Sequence, residues 1–204
     1  MRTGLLALII VTGAAAGLPA QRSSGAKPAA QKVTTAATCA AELGNGVKTD
    51  RRFCDVLIAS TGAESVAMTI PAHTGTATLQ FDLHNRFVVP AASAAPALAY
   101  ARHSATVAVI RSTGAVIGRG GVASEFRSVQ QLFDRIAGPT PGLPKTIAPG
   151  PAEGIRVTIP AGVNAIGIVG EAVTVLDHTG ETRFPTPGRP VAIVSNLRIE
   201  YRPR

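Results

Sequence analysis

Residues 56–72 read VLIASTGAESVAMTIPA, and residues 145–161 read KTIAPGPAEGIRVTIPA. Laid over each other without a gap, 8 of 17 positions agree: Ile58/Ile147, Ala59/Ala148, Ala63/Ala152, Glu64/Glu153, Thr69/Thr158, Ile70/Ile159, Pro71/Pro160 and Ala72/Ala161. Chance in a chain of this composition gives roughly one or two matches. A repeat of this kind points to an internal duplication, and the parallel continues downstream. ATVAVIRSTGAVI (105–117) parallels AVTVLDHTGETRF (172–184), with Thr113-Gly114 corresponding to Thr179-Gly180.

The residues around the repeats alternate with period two. Val66, Met68 and Ile70 are spaced by Ala67 and Thr69, and Leu79, Phe81 and Leu83 by Gln80 and Asp82. Val107 and Val109, then Ile155, Val157 and Ile159, and finally Leu197, Ile199 and Tyr201 follow the same rule. Such alternation marks half-buried strands. Pro71, Gly75 and Thr113-Gly114 supply turn chemistry between them. The expected fold class is all-β with one or two short helices: an antiparallel β-sandwich built from two duplicated units of about five strands each. Two arrangements are open. Each unit closes its own sandwich, or each supplies half of one. The second is favoured because a 60-residue all-β unit is marginal alone.

Two stretches lack a counterpart in the second unit. Residues 82–104 contain an Ala-rich middle that predicts a short helix from about Ala91, interrupted near Pro96. Residues 128–137, SVQQLFDRIA, carry a capping-box pattern in Ser128 and Gln131. Val129, Leu132, Phe133 and Ile136 fall on one helical face there.

The expected organisation is a signal peptide at 1–20, a flexible linker at 21–38, a first β unit at 39–137, a Pro/Gly linker at 138–151 and a second β unit at 152–204. Arg2 followed by the uncharged run Leu5–Leu18 and small residues to Ala20 has the layout of a secretory leader, cleaved near Ala20. The run is shorter than the ~20 residues a spanning helix needs, and the mature chain has no other candidate transmembrane segment. The reading is therefore a secreted or periplasmic protein. Cys39 and Cys54 are the only cysteines, and in an exported chain two cysteines are expected to pair as a structural disulfide.

The formal net charge is +8, with aromatics at 4% and no Trp. Export, the scarcity of stacking rings and the absence of a dense Lys/Arg cluster argue against nucleic acid. An anionic envelope polymer, a lipid surface or another envelope protein suits the charge better. No P-loop, G-x-G-x-x-G, H-E-x-x-H or G-x-S-x-G pattern occurs, and no cofactor is implied. His73, Asp82, His84 and His103 are the candidate polar or metal site, because Asp82 and His84 lie two apart on one strand face. Against that stands the plain reading of a solvated strand face. Arg156, Arg198 and Arg202 alternate outward and form a candidate anion-binding face. The sequence supports an exported, non-catalytic binding or structural module, with a secreted hydrolase or metal-dependent enzyme using the Asp82/His84 face as the alternative.

Overall fold

A computed structural model describes residues 28–89 and 100–204. Among the described residues twelve strands run in order: β1 (Gln31–Thr34), β2 (Ala37–Cys39), β3 (Ala41–Asn45), β4 (Arg52–Leu57), β5 (Val66–Thr69), β6 (Ala77–Val88), β7 (Ala101–Arg111), β8 (Val116–Phe126), β9 (Ile147–Ile159), β10 (Ala165–Asp177), β11 (Gly180–Phe184) and β12 (Pro190–Tyr201). They form two antiparallel sheets. The front sheet has the order β3-β4-β12-β6-β9, with β1 also paired to β12. The back sheet has the order β2-β5-β10-β7-β8, with β11 also paired to β10.

The expected alternation builds the core between the sheets. Leu79, Phe81, Leu83, Val157, Ile159, Val194 and Ile199 point inward from the front, against Met68, Val107, Val109, Ile166 and Ile168 from the back. In β12 the inward parity changes from Ala192 and Val194 to Leu197 and Ile199. The change is made at a bulge where Asn196 takes a left-handed φ of 55°. Asn tolerates that conformation better than most residues, and a bulge re-aims every side chain beyond it. The glycine-rich stretch of β8 closes one side of the sandwich. A Cβ on Gly118 would lie 2.7 Å from Val157 Cγ1, and one on Gly120 2.8 Å from Ile155 Cγ2. Bare glycines let the edge of the back sheet press against β9 of the front, and β8 bulges beside Gly118.

The strands form one sandwich, and both halves of the chain contribute to both sheets. The two TIPA segments make comparable corners. Thr69 ends β5 in the back sheet and leads to β6 in the front, whereas Thr158 and Ile159 end β9 in the front sheet and lead to β10 in the back. The pairings are reciprocal: β5 pairs with β10, and β9 with β6. Upstream of the corners the two segments differ. Residues 147–159 are one continuous strand, while Gly62–Glu64 form a 3-10 turn.

Several boundaries need correction. Residues 31–39, which overlap the expected flexible linker 21–38, form β1 and β2, because β12 and β5 offer free backbone edges to them. The Pro/Gly linker 138–151 ends early, since β9 begins at Ile147 despite Pro149 and Pro151. The helix expected over 128–137 is only a 3-10 turn at Val129–Gln131, although its capping box forms as predicted. Extended backbone follows, and Ile136 pairs with Gly46. Docking against a neighbouring strand has outweighed the helical spacing. The leader, its cleavage point and the helix expected from Ala91 lie outside the described residues.

Cys39 and Cys54 are joined, with Cα atoms 5.6 Å apart. Cys39 sits on β2 of the back sheet and Cys54 on β4 of the front, so the bond ties the sheets together. Closing a 15-residue loop in the unfolded chain is worth about 3 kcal/mol. The Cys39→Ala/Cys54→Ala double variant is expected to lose about that much, read as a lower urea midpoint.

Candidate functional site

The outer face of the front sheet carries Asp82, His84, Arg156 and Arg198, and it is divided into two halves. Asp82 and His84 do share this face, as their spacing requires. A solvated surface is the wrong description of His84, which is 0% exposed. The strap of chain between β8 and β9 crosses over it. Phe133 from that strap lies 4.9 Å from the His84 ring, and Phe53 of β4 meets the ring edge-on at 5.7 Å. Ile136, Phe53, Ile193 and Leu43 make a second small core beneath the strap.

The strap is pinned to the β3–β4 turn by Asp134. Its carboxylate accepts from the backbone N–H groups of Lys48, Thr49 and Arg135 and from the Thr49 hydroxyl at 2.6 Å. Those donors hold the carboxyl below its ordinary range even though burial pushes the other way. Val47 N–H donates to Arg135 O at 2.8 Å, Ala137 N–H to Asn45 O at 2.8 Å, and Lys145 N–H to Ile136 O at 2.9 Å.

Under this cover, His84 Nδ1 is 2.9 Å from Gly150 O, and Nε2 is 2.9 Å from Ser195 Oγ. A carbonyl can only accept, so Nδ1 donates to Gly150 O. Burial lowers the His84 pKa and favours the neutral ring, in which Nε2 then accepts from the Ser195 hydroxyl. Histidine within hydrogen-bond reach of serine is the geometry of an activated nucleophile. Here Ser195 is also 0% exposed. Asp82 does not orient the imidazole. Its carboxylate takes Arg51 Nη1 at 2.8 Å and Asn196 Nδ2 at 3.0 Å. On the same sheet Arg86 donates to Asp55 at 2.9 Å, yet burial still raises the Asp55 carboxyl.

The other predicted histidines stand elsewhere. His103 lies on β7 of the back sheet, edge-on to Phe87 at 4.6 Å. Burial and the Arg86 charge push its pKa down to about 4, with Asp177 opposing. His73 follows the first TIPA corner, where its Nδ1 lies 2.9 Å from Pro71 O and its backbone bridges to Pro203. Its Nε2 is buried without a hydrogen-bond partner. Among the described residues, no group of three or more His, Cys, Asp and Glu side chains is placed to hold a metal ion.

The lower half of the face is open. Arg156 on β9, Gln80 on β6, Arg198 on β12 and Thr34 on β1 are successive register partners, so their side chains stand in a row on one surface. Neighbouring strands are ~4.8 Å apart, which separates the Arg156 and Arg198 stems by about 10 Å across Gln80. Glu200, Thr78 and Thr158 make the adjoining row. Arg202 follows at the end of β12, beside a groove of about 410 Å³ lined by Thr74, Thr76, Thr78 and Glu200. The sequence showed the Arg positions but not that Gln80 lies between two of them, nor that Ser195 meets His84. Both depend on register, and for Ser195 on the residues preceding the Asn196 bulge.

No family model matches the chain, and no curated protein matches it in sequence. Among solved structures it is similar to the infectious bursal disease virus VP2 subviral particle, at 13% identity and a TM-score of 0.27 over 93% of this chain. The chain spans 37% of that protein. It is also similar to the K1 cleaved adhesin domain of Lys-gingipain from Porphyromonas gingivalis W83, at 11% identity and a TM-score of 0.29, covering 89% of this chain and 88% of that one. Likeness at these scores carries no functional argument.

Two predictions test the buried polar groups. Ser195→Ala leaves His84 Nε2 without a donor in an apolar enclosure and is expected to cost about 1–3 kcal/mol in urea unfolding. The depressed histidines set the sign of the acid response. The unfolded chain takes up protons near the ordinary 6.5, which the folded His103 refuses until about 4. Stability is therefore full above about 6.5 and is lost as pH falls through that window. Urea midpoints at pH 7 and pH 5 should show His103→Phe losing on the order of 1–2 kcal/mol less than the parent.

Proposed function

We propose that the chain is an exported, non-catalytic β-sandwich that works by surface binding in the cell envelope or outside the cell. The inter-sheet Cys39–Cys54 bond carries this reading, because structural disulfides persist in oxidising compartments. The secretory layout of residues 1–20 supports it from the sequence side. The open Arg156–Gln80–Arg198 row, with Arg202 beyond it, is the surface on which an anionic envelope polymer would lie. Repeated anions along an extended polymer suit cations spaced about 10 Å apart on a rigid sheet better than they suit a closed pocket.

One specific observation favours the alternative of a secreted hydrolase, namely the His84–Ser195 hydrogen bond. A substrate would reach it only if the strap left Phe53 and Ile193. Ser195 therefore serves folding in this reading, and its replacement acts on stability.

The direct test is co-sedimentation of the exported chain with purified cell envelope across a salt series. Binding is expected to weaken as salt rises, because exposed charges lose reach as the Debye length shrinks. Arg156→Glu/Arg198→Glu should abolish most of it while leaving the urea midpoint within about 0.5 kcal/mol. Envelope binding that ignores both salt and this double variant would remove the Arg row from the reading. No binding under any condition would remove the envelope.

A further inference from the structure

The chemistry of the Arg156–Gln80–Arg198 row narrows the kind of polymer that fits it. Arg156 and Arg198 are exposed, and Gln80 is half-buried between them. Among the described residues the ion pairs of the front sheet use Arg51, Arg52 and Arg86, on Asp82, Glu42 and Asp55. Arg156 and Arg198 have no carboxylate partner there, so the fold leaves their charge unneutralised.

The middle of the row is not cationic. Gln80 Nε2 donates to Glu200 Oε2 at 3.4 Å, which brings a carboxylate from the adjoining row toward the gap between the two arginines. An amide and a carboxylate at that point accept hydrogen bonds from hydroxyl groups. They also repel a second anion. Thr34 continues the row beyond Arg198 with a hydroxyl of its own. From β9 to β1 the row therefore reads cation, hydroxyl acceptor, cation, hydroxyl, in steps of ~4.8 Å.

The same face fixes the direction of a linear ligand. A chain lying along β12 would meet Glu200 between Arg198 and Arg202, because period two puts all three on one side of the strand. A chain lying across the strands meets Gln80 between its two arginines instead. It needs an anion at every second step and hydroxyl donors between them. A pyranose ring spans about one strand spacing, ~4.8 Å, so a polysaccharide laid across the sheet presents one sugar to each strand. A polymer charged at every unit would press an anion against Glu200.

We propose that the row binds an acidic polysaccharide in which charged and uncharged sugars alternate. It lies across β9, β6, β12 and β1, with carboxylates on Arg156 and Arg198 and the hydroxyls of the sugar between them on Gln80 and Glu200. The inference rests on the envelope reading and names the polymer class for the same face.

The test is titration of the exported chain with hyaluronan hexasaccharide, which carries a carboxylate on every second sugar. Hexagalacturonate, with a carboxylate on every sugar, and uncharged chitohexaose are the comparisons. The salt is held at about 0.15 M, where the Debye length is ~8 Å and longer-range attraction is screened. Hyaluronan should bind at least as tightly as hexagalacturonate, although it carries half the charge, and chitohexaose should not bind. Arg156→Gln and Arg198→Gln should each weaken hyaluronan binding about fivefold and leave the urea midpoint unchanged. Gln80→Lys puts a third cation in the gap and should move the ratio of the two affinities at least about fivefold toward hexagalacturonate. Tighter binding of hexagalacturonate by the parent, or a ratio that Gln80→Lys does not move, overturns the proposal. So does hyaluronan binding that survives both arginine substitutions. Envelope binding that needs Arg156 and Arg198, without hyaluronan binding, overturns the polysaccharide class and leaves the envelope reading standing. Hyaluronan binding without envelope binding keeps the class and overturns the envelope reading. Absence of both overturns both.

Discussion

Over its upper half the front sheet turns apolar side chains, Phe53 and Ile193, to its outer face as well as its inner one, and the remaining architecture answers that constraint. Phe53 and Ile193 point outward from strands whose neighbours Cys54, Ala192 and Val194 already fill the inner core. A sheet with two apolar faces needs two covers. The back sheet is one, and the strap between β8 and β9 is the other. Laying a strap over a sheet buries backbone groups, and each must find a partner. The bonds to the β3–β4 turn, the Asp134 carboxylate and the Lys145 ammonium meet that demand. His84 fits the same scheme, because its two nitrogens satisfy the Gly150 carbonyl and the Ser195 hydroxyl where strands and strap converge.

Legibility in the sequence followed period. Strands whose neighbours conform to strict alternation, such as Leu79-Phe81-Leu83 and Ile155-Val157-Ile159, were placed correctly with their core faces. The apolar spacing of the strap at Val129, Leu132, Phe133 and Ile136 is helical, whereas its partners lie some 85 residues away in the β3–β4 turn. Nothing local encodes that docking. The burial of His84 is hidden for the same reason: strand alternation identifies a face, but not whether another segment lies over it. The apolar outer positions Phe53 and Ile193 were the available signal, since a solvated face would not carry them.

The pairing of the two cysteines is legible in the sequence, but its consequence is not. A separation of 15 residues does not reveal which sheets the pair joins. Only the assignment of β2 and β4 to different sheets makes it a tie across the core. The repeated TIPA segments were likewise found by identity, whereas their roles appear only in the topology. Each ends one sheet and begins the other, and the two run in opposite senses.

The final strand, β12, occupies the interior of the front sheet, with β4 and β1 along one side and β6 along the other. A growing chain that has not yet produced residues 190–201 therefore has a gap through the middle of that sheet, and β1 has no edge to join. Completion of the front sheet waits for residues 190–201, and the high sequence separation of these pairings implies slow folding as well. The order of strands thus makes closure of the front sheet wait for β12. Until β12 inserts, β4 and β6 stand apart, and its insertion joins them into one sheet.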